Sequence, residues 1–308
     1  MVRRERDALV RHLPAARDGD VRAVHRARVA SRRLRELLPV VEAGLERREA
    51  AVRREVRRLT RALGPVRELD VTRALLAATW EAHGWPAPAL ARVDRTCAGA
   101  RDARRHDMEA RLARSAASDL PRQLSQLATT VAASGDGRRA GTLLASRLRQ
   151  RARAMGEAVA HVGTLYQPAA LHAVRIAGKK LRYSLEIAHD AAGLSVARHL
   201  KELKAVQELL GGINDRQAIQ AWLQTTAGER GIGRQMIHTL TTCTQAIDGE
   251  CRERHAKFLK RLPRISEAID SAGRETVFDL LAHRPTRMRA TGRAGAAAVA
   301  AGRETVSE

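Results

Sequence analysis

One basic phrase occurs twice in this chain of 308 residues. Residues 24–38 read VHRARVASRRLRELL, and residues 171–185 read LHAVRIAGKKLRYSL, so that His25 recurs as His172 at an offset of 147. The register continues without a gap further along the chain, where Leu63 aligns with Leu210. Repetition at half the chain length predicts a duplicated unit and two pseudo-equivalent halves.

The offset also sets the expected boundaries of the two halves. Residues 1–137 form the first half and residues 138–283 the second, and together they are expected to form one domain. From residue 284 onward the sequence has no sustained pattern. We therefore predict a disordered tail over residues 284–308.

Positive charge is what the two copies share. Only six of the 56 basic residues are lysines, and four of these replace arginines of the first copy, so the charge is kept where the side chain differs. A compositional bias toward arginine and alanine is the alternative, but it explains neither the paired histidines nor the ungapped register. The repeated basic positions are His25, Arg28, Arg32, Arg33 and Arg35 in the first copy and His172, Arg175, Lys179, Lys180 and Arg182 in the second.

The hydrophobic pattern predicts an all-α chain. In residues 20–38 the apolar side chains recur on one side of a 3.6-residue helix and the basic ones on the other. Asp20 is a suitable N-cap for this helix, and Pro168 suits the first position of its counterpart. No alternating run of β-branched residues indicates a strand.

Glycine and proline residues predict where the helices end. Pro39 is expected to end or kink the first basic helix just past its basic row, since proline lacks an amide hydrogen. Together the breaks leave about twelve helical stretches. The further boundaries predicted in this way lie at Pro14, Gly64–Pro65, Gly84–Pro88, Ser134–Gly137, Gly211–Gly212 and Pro263.

The spacing of the basic residues predicts a binding groove. From His25 to Arg35 the row is about 15 Å long, which suits a linear anion. Two antiparallel helices with facing rows would form a basic groove, and two halves would line it from both sides. A solvated, highly charged helix face is the alternative for any single row. The rows on the following helices are Arg54, Arg57, Arg58 and Arg61 in the first half and Lys201 and Lys204 in the second.

The overall charge points to a polyanionic partner. A formal net charge of +22 and a pI near 11.4 exceed what solubility requires. Nucleic acid, an anionic membrane surface and a phosphate polymer all remain open on charge alone. In so positive a field, His25 and His172 should lose proton affinity when free and regain it when an anion binds. We expect both to donate hydrogen bonds to phosphate oxygens.

Other features argue against several classes of protein. Cys97, Cys243 and Cys251 have no CxxC spacing, so we expect reduced packing cysteines rather than a disulfide or zinc framework. No secretory signal or membrane-length apolar run is present, which favours a cytoplasmic protein. We expect no cofactor, no metal and no catalytic residue, because neither a carboxylate cluster nor a P-loop is visible. The number of copies that assemble is left open.

The repeated phrase, H-x-x-R-[VI]-A-x-[RK]-[RK]-L-R with a later L-G-x-x-x-[DE], resembles the CHAD family, the conserved histidine α-helical domains. The similarity extends over roughly residues 1–283. It implies two pseudo-symmetric helical bundles around a basic central cavity, binding of inorganic polyphosphate, and association with polyphosphate granules in bacteria. It also implies that the repeated basic residues of both copies contact the polymer, and less firmly Arg54, Arg57, Lys201 and Lys204.

Glu68 stands where the family phrase has aspartate, which keeps the charge but alters the reach of the side chain. A nucleic-acid-binding protein is the rival from another class, with a polyphosphate-processing enzyme a weaker one. Only seven residues are aromatic, however, so stacking platforms for bases are scarce. The sequence therefore favours non-catalytic binding of polyphosphate.

Overall fold

A computed structural model describes residues 1–43, 45, 50–116, 119–134 and 136–282 of the chain. Over these residues the fold is all-α, as predicted, with ten helices and no strand. The predicted tail lies outside the described residues. The helices are α1 Val2–Arg17, α2 Val21–Ala43, α3 Ala50–His83, α4 Ala87–Ala116, α5 Leu120–Ser134, α6 Gly137–Ala160, α7 Pro168–Ala192, α8 Ala197–Ala227, α9 Arg234–Leu259 and α10 Leu262–Ala282.

The two basic helices begin where the sequence predicted. The Asp20 carboxylate accepts a hydrogen bond from the amide of Ala23 at 2.6 Å, which satisfies one free amide of the first turn of α2. Pro168 occupies the start of α7, where its missing amide hydrogen costs nothing. Along α2 the side chains of Ala27, Ala30 and Leu34 are buried. The basic residues are thereby left on the opposite side of the helix.

Several predicted helix ends are wrong. The chain stays helical through Pro14, Pro39, Gly64–Pro65 and Gly211–Gly212, and α3 alone spans 34 residues. A proline inside a helix costs about 3 kcal/mol. Burial of each large apolar side chain stabilises the fold by about 1.5 to 3 kcal/mol. The apolar side chains that flank Pro65 and Gly211 are fully buried. Packing therefore outweighs the local signals, and the flanking buried residues are Leu63, Val66, Leu210 and Ile213.

The helices of the two halves pack in the same order. Helix α1 packs on α2 and α5, and α6 packs on α7 and α10. Helix α3 packs on α2 and α4, and α8 packs on α7 and α9. The halves also contact each other, because α2 packs on α6 and α7 while α8 packs on α3 and α4. This arrangement brings the two basic helices together at the centre of the molecule.

Ion pairs between the halves support this arrangement. The Glu36 carboxylate is 7 % exposed and lies 3.5 Å from Arg147 and 3.8 Å from Arg151 of α6. On the other side of the molecule, Glu229 pairs with Arg92 and accepts a hydrogen bond from Thr96 at 2.6 Å. Partly buried charge-assisted bonds of this kind are about twice as strong as neutral ones. They fix how the halves meet, and thus the shape of the site between them.

All three cysteines are free and buried, in keeping with a packing role. Among the described residues, no helix is both long enough and apolar enough to cross a membrane.

Candidate functional site

A cavity of about 900 Å³ lies where α2, α3, α7 and α8 meet. Both halves of the chain line it, and α4 adds Arg104. Six arginine or lysine side chains face this space together with only two carboxylates, so the lining is strongly positive. Its charged and imidazole residues are His25, Arg28, Arg32, Arg67, Glu68, Arg104, His172, Arg175, Lys179 and Asp215.

The cationic rows of α2 and α7 meet across the cavity. Burial, and after it the charges of Arg175, Arg32 and Arg28, together lower the pKa of Lys179 to about 8. Two of these arginines belong to α2, in the other half of the chain. Arg32 also lies 5.9 Å from the centre of the Tyr183 ring on α7. Helices that carry the two copies of the basic phrase therefore line one cavity.

His25 is held as a neutral hydrogen-bond donor. The Arg67 Nε–H donates to Nδ1 of His25 at 3.0 Å. Because Nδ1 accepts this bond, the proton of the neutral ring resides on Nε2. Burial lowers the pKa of His25, and the charges of Arg67, Arg28 and Arg26 lower it further. The remaining Nε2–H is the group that can donate to a bound anion.

His172 has a different partner at the equivalent position. Its Nδ1 lies 3.2 Å from Oδ1 of Asn214, and an amide oxygen can only accept a hydrogen bond. The proton of the neutral ring is therefore on Nδ1, which leaves Nε2 as an acceptor.

The inner arginines are held close to carboxylates. Arg28 Nη2 donates to Glu68 Oε1 at 3.0 Å, while the negative charge of Asp215 acts on Arg175. In both arginines, burial lowers the pKa despite the nearby carboxylate. Neither Nε has a hydrogen-bond partner. Both guanidinium groups are thus partly desolvated, and each has an Nε–H without a partner.

The remaining predicted residues lie outside the lining of the cavity. Arg33 pairs with Glu5 at 3.4 Å, Arg35 with Glu36 at 3.2 Å, and Arg182 with Glu186 at 3.1 Å. Lys180 is half-buried. The other predicted residues are exposed on α3 and α8, and they are Arg54, Arg57, Arg58, Arg61, Lys201 and Lys204.

The sequence model of the CHAD domain matches residues 1–224, which is more than half of the chain. The chain belongs to the CHAD domain family. The resemblance seen in the repeated phrase is thus confirmed, although the family match ends before the predicted limit at residue 283.

Solved structures show the same CHAD fold. The crystal structure of the CHAD domain from the plant Ricinus communis matches with a TM-score of 0.59 at 24 % sequence identity, and the match covers 88 % of this chain and 89 % of that one. PptA from Streptomyces chartreusis matches with a TM-score of 0.56 at 18 % identity, with 89 % and 95 % covered. No curated protein sequence matches the chain.

Sequence reasoning missed four groups that the CHAD fold brings to the cavity. Arg104 comes from α4 and lies in no repeated phrase. Arg67 and Asn214 each lie 42 residues after the histidine that they contact, so they occupy equivalent positions. Since one is a cation and the other an amide, a search for shared charge passes over them. Tyr183 and Glu36 also occupy equivalent positions at the offset of 147, and they too differ in charge.

The described residues contain no cluster of three or more histidine, cysteine, aspartate or glutamate side chains that could hold a metal ion.

Proposed function

We propose that this protein binds inorganic polyphosphate in the central cavity and does not convert it. The supporting observation is the lining itself, in which both halves direct cationic side chains into one space. Burial and the neighbouring cations together lower the pKa of Lys179 to about 8, and a bound anion would counteract that shift. The family resemblance implies the same ligand.

Binding would proceed through charge-assisted hydrogen bonds to successive phosphates. Arg28, Arg32 and Arg175 can each contact two phosphate oxygens, whereas Lys179 acts as a point charge. The Nε2–H of His25 supplies a further donor. All of these groups are positioned before the ligand arrives, so little additional ordering is required. Affinity should therefore fall steeply with salt concentration, as for other polyanion sites.

Polyphosphate suits this cavity better than nucleic acid does. Base stacking requires an exposed aromatic face. Tyr183 and Trp222 are the aromatic residues in the lining, and the Tyr183 ring is flanked by the guanidinium groups of Arg32 at 5.9 Å and Arg182 at 5.0 Å. With two such aromatic rings against six arginine or lysine side chains, the lining favours a charged backbone over stacked bases. Competition at equal phosphate concentration should favour polyphosphate over single-stranded and duplex nucleic acid.

Calorimetric titration with long-chain polyphosphate tests the proposal directly. The double variant Arg28→Gln/Arg175→Gln removes one equivalent cation from each half. It should weaken binding by about 100-fold or more, because each charge-assisted bond contributes about 1.5 to 3 kcal/mol. The control Arg111→Gln/Arg264→Gln makes the same charge change at exposed positions outside the cavity and should stay within about threefold of wild type. Equal losses in both variants would leave only general electrostatic attraction.

Two further measurements address what binding achieves. Incubation of the protein with polyphosphate should leave the chain length unchanged on a gel, whereas shortening would identify an enzyme. Association with polyphosphate granules is also part of the proposal. A fluorescent fusion should colocalise with granules in polyphosphate-accumulating cells, and the Arg28→Gln/Arg175→Gln variant should become diffuse.

A further inference from the structure

The first half of helix α3 carries a row of arginines beyond the cavity, which we term the arginine strip: Arg54, Arg57, Arg58 and Arg61. All four are exposed. At 3.6 residues per turn they lie within about 100° of the helix circumference, on the same face as the cavity residues Pro65 and Glu68. From Pro65 to Arg54 this face extends about 16 Å away from the cavity. The strip is thus a continuation of the cavity wall.

Contacts between α2 and α3 show what lies beside the strip. His25 meets Arg67 at 3.0 Å, and Glu42 at the far end of α2 meets Arg53 at 3.2 Å, so the two helices run antiparallel. In this register Arg61 lies abreast of Arg32, the last α2 cation in the cavity. The arginine strip on α3 therefore begins beside the point where the cationic row of α2 leaves the cavity. The row and the strip are continuous.

The strip has little negative charge of its own. Within the described part of the chain, Arg54, Arg57 and Arg61 form no ion pair. Arg58 pairs with Glu55 at 3.3 Å, but its side chain is 75 % exposed. Like charges at spacings of three and four residues repel each other on a helix. An anionic chain lying along the strip would relieve that repulsion.

The equivalent face of α8 is different. At the constant offset of 147, Arg58 and Arg61 correspond to Ala205 and Glu208, and only Lys201 and Lys204 keep the positive charge. Glu208 is exposed and lies between these lysines and the cavity residue Asp215. Asp215 has its counterpart in Glu68 on α3, so Glu208 is the additional carboxylate that a polyanion leaving the cavity along α8 would meet. The two exits from the cavity therefore differ in charge.

We propose that the arginine strip is an external subsite that holds polyphosphate emerging from one side of the cavity. This inference rests on the proposed function of the cavity. It makes the site one-sided, with the polymer extended along α3 and not along α8. It also makes chain length a determinant of specificity, because only a polymer longer than the cavity reaches Arg54.

Two variants matched at the 147-residue offset test this inference. Arg54→Glu/Arg57→Glu reverses two charges of the strip, and Lys201→Glu/Lys204→Glu reverses the equivalent two on α8. Both variants change the net charge equally. Affinity is measured calorimetrically for size-fractionated long-chain polyphosphate. Binding of tripolyphosphate, which is too short to reach Arg54 from the cavity, is measured by thermal shift at increasing concentration.

The strip variant should lose about tenfold in affinity for the long chain and show a shallower salt dependence, as expected when cation–phosphate contacts are lost. Its binding of tripolyphosphate should be unchanged, and the α8 variant should stay within about threefold for both probes. Equal losses in the two variants would overturn the inference, as would a parallel loss of tripolyphosphate binding by the strip variant. Failure of the cavity proposal is recognised separately, because Arg28→Gln/Arg175→Gln would then retain binding of both probes.

A gain-of-function variant adds an independent check. Ala205→Arg/Glu208→Arg copies the missing part of the strip onto α8 at exposed or half-buried positions. If an uninterrupted cationic row is what holds the emerging polymer, this variant should bind long-chain polyphosphate about tenfold more tightly than wild type. The gain should be absent for tripolyphosphate. A gain of the same size for both probes would instead indicate a general charge effect and contradict the proposal.

Discussion

The two halves of the cavity share a framework but differ in the groups that tune it. Each half contributes a histidine and two further cations at the same offsets. Around the histidines, however, Arg67 donates to His25 while Asn214 accepts from His172. The cationic positions are therefore the same in both halves, whereas the hydrogen-bond partners of the two histidines differ.

The two halves also differ in the cations that they contribute to the cavity. The first half presents Arg28, Arg32 and Arg67, and arginine stays protonated at all physiological pH values. The second half presents Arg175 and Lys179, and the pKa of Lys179 is lowered to about 8. The first half thus supplies only permanent charge, whereas the second half combines the permanent charge of Arg175 with the pH-dependent charge of Lys179. Equivalent positions in a repeat can keep one role while diverging in how that role is controlled.

The most severe test of this comparison is at the centre of the site, where Arg32 and Lys179 are equivalent and close. Arg32→Glu and Lys179→Glu should each weaken polyphosphate binding by about 100-fold or more, since each replaces a half-buried cation of the cavity with an anion. The measurement is calorimetric titration at pH 7, with circular dichroism to confirm folding. A large loss in only one variant would show that one half dominates.

A pH titration should separate the permanent charge from the variable one. Because a polyanion favours protonated Lys179, affinity should fall as pH rises through about 8, with a loss of about tenfold between pH 7 and 9. Lys179→Arg keeps its charge and should remove this step, while Arg32→Lys introduces a second titratable group in the same place. If Lys179→Arg showed the wild-type pH profile, another group would be responsible.

The stability of the free protein should rise as pH rises above about 8, whereas the affinity for polyphosphate should fall. The pKa of Lys179 is lower in the folded protein than its ordinary 10.5, so the unfolded state binds more protons between pH 8 and 10.5. This group therefore destabilises the free protein at pH 7, and its penalty disappears as pH rises through that window. Lys179→Met should raise the free energy of unfolding at pH 7 by roughly 1 to 2 kcal/mol after allowance for solvent screening. Urea denaturation without polyphosphate measures it; Lys201→Met on the surface is the control.

The smallest effects should come from exchanging the partners of the two histidines. Arg67→Asn should weaken polyphosphate binding about threefold to tenfold, because it removes a cation and the bond that keeps the proton of His25 on Nε2. Asn214→Arg should strengthen binding by a similar factor, since it makes the second half resemble the first. Calorimetry on both single variants and the double exchange provides the test. Opposite signs support the comparison, and two losses would show that each histidine needs its own partner.

The sequence grouped the cationic residues that line the cavity, because helical periodicity and the repeat act on the same positions. His25, Arg28 and Arg32 share a face of α2, and their counterparts share a face of α7. Arg33 lies about 100° further around the helix than Arg32, so it turns toward α1 and pairs with Glu5. Charge alone could not distinguish these two neighbours.

Other features depend on tertiary packing and could not be predicted from the sequence. Arg104 reaches the cavity only because α4 packs on α3 and α8. The predicted helix breaks failed for a related reason, since the fully buried Leu63 and Val66 hold α3 together through Pro65. Local signals describe a segment in isolation, whereas the length of α3 is determined by what it packs against.

The lowered pKa of Lys179 also bears on how long the protein survives in a cell. A chain whose free state carries unbalanced internal charge opens more often, and proteases act on opened molecules. A ligand that binds only the folded form reduces that opening in proportion to its concentration. Under the proposed function, molecules without polymer would be degraded first.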